Sequence, residues 1–314
     1  MSVIQIVGNQ SGAGKTSLAA ALLVTAANAG GKAAYYKPFA DGRTPDADVA
    51  FISGLQESLG GPAVPAPGNK SDSGDLSNAQ AEVTRLESEA GIVVIEGPDA
   101  SAPYAIRSKT LLIHRSSRES VAASIAAAGP DLAGVIVNAV PIHRRNEVAR
   151  ELAGQSVPVA VIPESRGMLT VTVEQLAEHL GGQWVLDPVN TDSPVERFMI
   201  GGNILDEGPT YFDRYPNQAV ITRVERPDIQ MASMGEKTCC LVLTGPGEPS
   251  EYIKSEALKR EVPLIQVRTN THATADALAE LLDKADARTA AKANHFAGLL
   301  EHYLGAEALE QLLS

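Results

Sequence analysis

A short loop near the amino terminus has residue types that bind phosphate groups. Gly12 and Gly14 precede Lys15 and Thr16 in the stretch GNQSGAGKTS. Glycines at these positions let the backbone curl so that successive N–H groups point inward at phosphate oxygens. Lys15 would reach the β- and γ-phosphates, and the Thr16 hydroxyl would complete the shell of a Mg²⁺ ion. We therefore expect ATP and Mg²⁺ to bind here. The predicted contacts are Gly12, Ala13, Gly14, Lys15, Thr16 and Ser17.

One position departs from the usual spacing of such a P-loop. The pattern G-x-x-x-x-G-K-T places its first glycine at position 9, where this chain has Asn9, and Gly8 comes one residue early. The alternative is a tight strand-to-helix turn in which Gly-Lys-Thr arises by chance. The flanking sequence favours the P-loop, because the apolar run 3–7 predicts a buried strand and a helix follows as far as Gly30.

Polar side chains at the ends of three predicted strands would join this loop. Lys37 follows the strand 32–36 and precedes a proline. Glu96 follows the strand 92–95, and Asn138 follows the strand 134–137. The carboxyl ends of parallel strands share one edge of a sheet, where open α/β sheets bind ligands. We therefore expect all three side chains beside the P-loop.

Each of these side chains also has a structural explanation. Glu96 would hold Mg²⁺ or polarise water, or it is a solvated loop acid. Lys37 would stabilise a phosphate or another bound anion, or it is a surface lysine. Lys15 and Lys37 are therefore the two candidates for a catalytic role. Asn138 would hydrogen-bond an adenine edge, or it is a turn asparagine.

Acidic residues and histidines elsewhere give weaker signals. Asp46 or Asp48 would supply a second Mg²⁺ carboxylate, although an acid at a helix N-terminus is favourable without any metal. His114 and His143 have no ligand-like spacing, and we expect them on the surface.

Composition limits the possible functions. The length of 314 residues suggests two domains, at about 150 residues per domain. The net charge of −12 argues against nucleic acid and anionic membranes as partners. The only two cysteines, Cys239 and Cys240, are adjacent and would point to opposite faces of a strand, which excludes a disulfide framework. No apolar run approaches about 18 residues, so we expect a cytoplasmic protein.

Strands and helices alternate along most of the chain, which predicts an α/β fold with a parallel sheet covered on both faces. We expect a P-loop nucleotide-binding domain over residues 1–182, a smaller α/β domain over 183–289, and C-terminal helices over 290–314. A surface loop is expected at 60–78. The predicted strands of the second domain are 198–200, 219–222, 239–243 and 264–267. Its predicted helices lie near 205–213, 227–233, 250–260 and 272–285.

Five segments carry a family resemblance. The segments GNQSGAGKT, YYKPFADG, VVIEG, GVIVNAV and VPVAVIPE resemble dethiobiotin synthetase, and still more the dethiobiotin-synthetase-like ATPase region at the start of long bacterial phosphotransacetylases. The resemblance covers about residues 1–182. The resemblance implies that Lys15 and Thr16 bind phosphate and Mg²⁺, and that Asp48 and Glu96 are Mg²⁺ carboxylates. It also implies that Lys37 lies near the transferred or substrate-side anion and that Asn138 lies at the base.

The chain differs from the synthetase around the expected substrate. Asp41 stands where the synthetase has a serine, and residues 98–101 replace its glycine-rich substrate loop. An acid at position 41 would repel a carbamate, which argues against the diamino-acid carboxylation of the synthetase.

The second block resembles the DRTGG domain found next to that ATPase region. The segments VITRVERPDIQ, at 220–230, and LVLTGPGEPS, at 241–250, carry the resemblance. Glu225-Arg226 stands for the Asp-Arg of the motif, and Thr244-Gly245-Pro246 stands for its Thr-Gly-Gly. Arg226 and Thr244 would bind a small anion, or they are turn and cap residues.

Two functions follow from this sequence. The first is a stand-alone nucleotide or metabolite sensor or regulator without acetyl transfer, because the residues after 290 could not hold an acetyltransferase domain. The second is an ATP-dependent ligase of the dethiobiotin synthetase type, acting on a small acid through a phosphorylated intermediate. For either function we expect a homodimer, with an unidentified small-molecule ligand in the second domain.

Overall fold

The computed structural model describes residues 2–40, 45–69, 76–117, 119–202, 208–279, 281 and 285–314. Asp41, part of the predicted surface loop 60–78 and the start of the predicted helix 205–213 lie outside the described residues.

The chain divides into two units, and the first is built from two separate segments. Met1–Met168 and Ala287–Ser314 form the first unit, and Leu169–Asp286 form the second. These limits differ from the predicted ones, since residues 169–182 belong to the second unit and the C-terminal helices to the first. The second unit is therefore an insertion between two parts of the first.

Strands are numbered in chain order over the described residues. They are β1 (Ser2–Gly8), β2 (Ala33–Tyr36), β3 (Phe39–Ala40), β4 (Gly68–Asn69), β5 (Ile92–Asp99), β6 (Lys109–Arg115), β7 (Leu132–Val140), β8 (Val159–Pro163), β9 (Val171–Thr172), β10 (Gln183–Trp184), β11 (Pro194–Val195), β12 (Arg197–Ile200), β13 (Gln218–Arg223), β14 (Thr238–Thr244) and β15 (Leu264–Val267).

The helices of the described residues are α1 (Lys15–Asn28), α2 (Ala47–Leu59), α3 (Leu76–Glu89), α4 (Val121–Ala128), α5 (Arg145–Glu151), α6 (Val173–His179), α7 (Gly208–Phe212), α8 (Pro227–Ser233), α9 (Glu251–Lys259), α10 (Thr271–Ala279), α11 (Ala290–Leu304) and α12 (Ala306–Leu313). Short 3₁₀ turns lie at Ile142–Arg144 and Arg166–Leu169. No helix in this described part of the chain is both long and apolar enough to cross a membrane.

A six-stranded sheet organises the first unit. Its strand order is β2-β5-β1-β6-β7-β8, and all the pairs are parallel. Strand β1 lies inside the sheet, which explains why its apolar run is continuous rather than alternating: Ile4, Ile6 and Val7 are all buried. This architecture confirms the predicted α/β fold with a parallel sheet.

Helix α1 is buried along most of its length, and a distant helix helps to cover it. Leu18, Leu22 and Val24 of α1 share one core with Phe296 and Leu300 of α11. The C-terminal helices, predicted as a separate segment, thus complete the core of the first unit. Since the packing is apolar and close, α11 stabilises the helix that begins at the P-loop.

Two strands extend further than their sequences predict, and one histidine is buried rather than exposed. Glu96 lies within β5 because that strand continues to pair with β1, and Asn138 lies within β7 opposite Arg115. The prediction that these residues follow their strands was wrong. The surface prediction for His114 was wrong too, because β6 lies between β1 and β7, where His114 is 1% exposed and its Nδ1 lies 3.0 Å from Ser124 Oγ.

A five-stranded sheet organises the second unit. Its order is β10-β15-β14-β13-β12; strands β12 to β15 are parallel and β10 is antiparallel. Strands β12 to β15 confirm the four predicted strands, and α8 confirms the predicted helix 227–233. Cys239 and Cys240 lie in β14, the first half-buried and the second buried.

Candidate nucleotide-binding site

The P-loop connects β1 to α1 through two left-handed glycines. Gly12 has φ 71° and Gly14 has φ 107°, a region that residues with side chains rarely adopt. A Cβ on Gly14 would also lie 2.8 Å from Asn138 Nδ2, too close for a real atom. Glycine is therefore required at position 14, immediately before Lys15 opens the helix. The N-terminus of α1, where N–H groups lack intrahelical partners, faces this loop.

Gly8, the early glycine of the pattern, also lies in a crowded position. A Cβ there would lie 3.2 Å from Ala13 Cβ and 3.4 Å from Lys15 Cδ. The aliphatic part of Lys15 thus lies close to the end of β1. A side chain at position 8 would therefore crowd the loop.

Asn9, which replaces that glycine, ties the loop to the end of β6. Its Oδ1 accepts a hydrogen bond from the backbone N of Arg115 at 2.9 Å. The guanidinium of Arg115 in turn donates Nη1 to the carbonyl oxygen of Gly12 at 3.1 Å. Asn9 and Arg115 therefore hold the P-loop from its outer side, and both are contacts that the sequence pattern did not predict.

Asn138 contacts the P-loop itself. Its Nδ2 donates to the carbonyl oxygen of Ala13 at 3.1 Å, beside Gly14. The structure thus brings Asn138 to the predicted loop, with a role in supporting the backbone at positions 13 and 14. Its expected contact with a nucleotide base stays a prediction.

Glu96 lies beside the start of α1 and is almost completely buried. The hydroxyl of Thr16 donates to Glu96 Oε1 at 3.2 Å, and the hydroxyl of Tyr35 donates to Oε2 at 2.8 Å. Glu96 is 6% exposed, so it is not a solvated loop acid. Burial, reinforced by the nearby charge of Asp48, raises the pKa of Glu96, while Lys37 and the two hydroxyl donors act in the opposite direction.

Lys37 lies directly after β2 and is held by two aspartates at the start of α2. Its Nζ lies 2.9 Å from Asp46 Oδ2 and 2.7 Å from Asp48 Oδ2. Asp46 is also the N-cap of α2, because its Oδ1 accepts hydrogen bonds from the backbone N of Asp48 and of Val49. The structural explanation of Asp46 as a helix N-terminal acid is therefore confirmed, and Lys37 is a buried lysine, not a surface one.

Asp48 has cations at both of its carboxylate oxygens. Lys37 occupies Oδ2, and Arg288 donates Nε to Oδ1 at 2.7 Å. Burial alone would raise the pKa of Asp48, but hydrogen bonds from Lys37 and Arg288 lower it overall. Burial would likewise lower the pKa of Lys37, and hydrogen bonds to Asp48 and Asp46 raise it above its ordinary range. Lys37 and Asp48 are therefore both charged at neutral pH.

The oxygen atoms at the start of α1 suit a hard cation. Thr16 Oγ1 and Glu96 Oε1 are adjacent oxygen donors at the P-loop, the ligand type that Mg²⁺ prefers. Asp48 would have to exchange a cationic partner for the metal. In the described part of the chain no group of three or more His, Cys, Asp or Glu side chains is close enough to hold a metal. The set of Thr16, Asp48 and Glu96 therefore stays a prediction.

The two halves of the second motif meet at the carboxyl edge of the second sheet. The backbone N of Val224 donates to the carbonyl oxygen of Thr244 at 2.9 Å, and a Cβ on Gly245 would lie 3.5 Å from Glu225 Oε1. Arg226 forms a bidentate pair with Asp228, at 2.9 Å and 2.7 Å. This pairing shows Arg226 in the role of a turn residue beside α8.

Comparisons with known proteins found both similar solved structures and a family model that matches the second unit. Several solved structures are similar to parts of the chain. The CBS and DRTGG domains of the regulatory region of a Clostridium perfringens pyrophosphatase, with its activator diadenosine tetraphosphate, have 14% identity and a TM-score of 0.32, over 49% of this chain and 75% of that chain. Cobyrinic acid a,c-diamide synthase from Mycobacterium smegmatis, with ADP and magnesium, has 15% identity and a TM-score of 0.37, over 52% of this chain and 86% of that chain. The MinC:MinD cell division complex of Aquifex aeolicus has 16% identity and a TM-score of 0.36, over 52% of this chain and 82% of that chain. A family model described as the DRTGG domain matches residues 175–281, which confirms the resemblance of the second block.

Proposed function

We propose that this protein is an ATP-binding sensor or regulator. Its first unit binds Mg-ATP at the P-loop, and its DRTGG domain binds a metabolite or a partner. The order of the two domains resembles the N-terminal region of phosphotransacetylases, as the sequence of residues 1–182 also does. The protein would therefore couple nucleotide binding to a second ligand.

One observation supports this proposal above the others. The buried carboxylate of Glu96 lies in hydrogen-bond contact with Thr16 at the N-terminus of α1, directly after two left-handed glycines. Burying a carboxylate costs folding free energy, and perturbed acids cluster at functional sites, so the position of Glu96 favours a role in binding. Thr16 and Glu96 would hold a Mg²⁺ ion here, and the ion would supply positive charge to the nucleotide phosphates.

A second candidate is an ATP-dependent ligase that forms an acyl phosphate or a phosphorylated carbamate on a small acid. The observation that favours it is the buried ammonium of Lys37, which two aspartates hold at the end of β2. A fixed cation near the phosphates would stabilise the charge that develops during phosphoryl transfer. The two candidate functions share one nucleotide site and differ in whether ATP is turned over.

The test is calorimetry of ATP and ADP with and without Mg²⁺, followed by measurement of phosphate release. A sensor should bind Mg-ATP, hydrolyse it slowly, and show no stimulation by a panel of small carboxylic acids and diamino acids. Stimulated turnover with one of these acids would favour the ligase. A protein that binds neither ATP nor ADP would contradict both candidates.

A further inference from the structure

Glu96 has two carboxylate oxygens in different surroundings. Oε1 accepts from Thr16 at the P-loop, and Oε2 accepts from the phenol of Tyr35 in the neighbouring strand. Tyr35 is fully buried, and the Tyr35 bond, at 2.8 Å, is the shorter of the two. The carboxylate is therefore anchored on one side by a rigid aromatic residue and directed toward Thr16 on the other.

The Tyr35 hydroxyl is suited to act as a constant donor. A neutral phenol has one proton to donate, and here it donates to the carboxylate. This bond orients Glu96 without adding a charge that would compete with a metal.

The sheet fixes this arrangement. Strand β2 pairs with β5 in parallel, with Tyr35 opposite Val94 and Tyr36 opposite Ile95. Glu96 is the next residue of β5, on the same face as Val94 because side chains alternate along a strand. Tyr35 therefore lies on the face of Glu96, whereas Tyr36 lies on the other face, where it packs in a separate apolar cluster.

We propose that Tyr35 is a positioning residue of the nucleotide site, which holds one oxygen of Glu96 so that the other serves Mg²⁺ together with Thr16. This inference rests on the proposed function, since it requires that Glu96 acts through the metal. In this role Tyr35 would act through Glu96 and would not itself touch nucleotide or metal. Its effect is confined to the interactions that pass through the Glu96 carboxylate.

The experiment compares Tyr35→Phe with Tyr36→Phe, which makes the same change in the next residue on the opposite face. Calorimetry gives the affinity for ATP with Mg²⁺ and the affinity for ADP without metal. We expect Tyr35→Phe to weaken Mg-ATP binding about tenfold while changing metal-free ADP binding less than about twofold. Tyr36→Phe should change neither, and the melting temperature would report any loss of packing in either variant.

A double-mutant cycle with Glu96→Gln provides the second measurement. If Tyr35 acts through Glu96, then Tyr35→Phe should have no further effect on Mg²⁺ dependence in the Glu96→Gln background. That background has no buried charge at position 96, so it also decides the matter if Tyr35→Phe alone folds poorly. An equal loss in both backgrounds, or an unchanged Mg²⁺ dependence in the single variant, would overturn the inference. Absence of Mg²⁺-dependent ATP binding in the wild-type protein would instead overturn the proposed function.

Discussion

Arg288 donates its Nε to Oδ1 of Asp48 at 2.7 Å, across 240 residues of sequence. Arg288 lies two residues after the end of the second unit, and Asp48 also holds Lys37 at the edge of the first sheet. The segment that returns from the DRTGG domain thus reaches the aspartate beside the candidate nucleotide site. The site therefore contains a residue that lies outside the predicted domain 1–182.

The bond between Arg288 and Asp48 should be measurable as a coupling energy. The Arg288 side chain is 40% exposed and that of Asp48 16%, so solvent weakens the interaction. We expect a double-mutant cycle of Arg288→Gln and Asp48→Asn to give a coupling of about 0.5–1 kcal/mol in unfolding free energy. Urea denaturation of the four proteins measures it. Additive effects would show that the contact contributes nothing to stability.

Residues 1–182 should not form a stable nucleotide-binding fragment. We expect this fragment to aggregate, because it lacks α11 and leaves the apolar surface of α1 uncovered. A chain that joins residues 1–168 to 287–314 by a short Gly-Ser linker should instead fold and bind ATP. The two segments already meet near the junction, because Ser165 Oγ lies 2.7 Å from His295 Nε2. Gel filtration and calorimetry of both chains decide this, and a monodisperse, ATP-binding 1–182 fragment would contradict it.

Lys15→Ala should abolish ATP binding, with a loss of affinity above about 100-fold, and leave the fold intact. Lys15 contributes charge to phosphate and lies outside the apolar core, so we expect a stability change within about 0.5 kcal/mol. Lys32→Ala is a matched control, since Lys32 is exposed just before β2. Equal ATP affinity in the two variants would refute the P-loop assignment.

Glu96→Gln should weaken Mg-ATP binding more than metal-free ADP binding, because the carboxylate acts through the ion. Asp99→Asn is the control, because Asp99 is exposed on the same strand, and it should leave the Mg²⁺ requirement unchanged. Titration of ATP against each protein with and without Mg²⁺ gives the comparison. An unaltered Mg²⁺ requirement in Glu96→Gln would remove this residue from the site.

The same substitution should change how stability depends on pH in the absence of metal. Burial raises the pKa of Glu96 in the folded protein, so the folded state binds its proton more tightly than the unfolded state does. This contribution to stability is present below the unfolded pKa and is lost as the pH rises through the folded pKa. The stability of Glu96→Gln relative to wild type should therefore increase as the pH rises above about 4.3, the ordinary pKa of a glutamate. Parallel stability curves would argue against the raised pKa.

Arg115→Gln should weaken ATP binding about threefold to tenfold. The variant loses the hydrogen bond to the Gly12 carbonyl, so the loop that Asn9 and Arg115 hold becomes less ordered before nucleotide binds. Arg107→Gln serves as the control, because Arg107 is exposed away from the P-loop. Calorimetry should show a larger unfavourable binding entropy in Arg115→Gln, and identical affinities in both variants would contradict a role in the loop.

The sequence alone was sufficient to predict the strands and helices that depend on local residue patterns. The strand before the P-loop and the helix after it follow from apolar runs and glycines, and the four parallel strands of the second unit follow in the same way. The position of Glu96 beside Thr16 depends on strand order, which places β5 next to β1, and local pattern contains no information on strand order. Tyr35 was missed for the same reason.

Contacts between distant segments were not predictable from pattern. The amphipathic sequence of α11 indicates a helix with an apolar face, but many surfaces could cover such a face. Its actual neighbour is α1, and only the three-dimensional structure shows it. Asn9 is a mismatch to the P-loop pattern, because that pattern concerns the backbone freedom of glycine. In the structure the Asn9 side chain accepts a hydrogen bond from the end of β6.

The insertion of the second unit into the first has a consequence for synthesis on the ribosome. Residues 290–304, which form α11, are translated only after all of Leu169–Asp286. Since domains generally fold in the order in which they emerge, the DRTGG domain can be complete while α1 still lacks its covering helix. During that interval the first unit exposes the apolar surface of α1 that α11 covers in the folded protein.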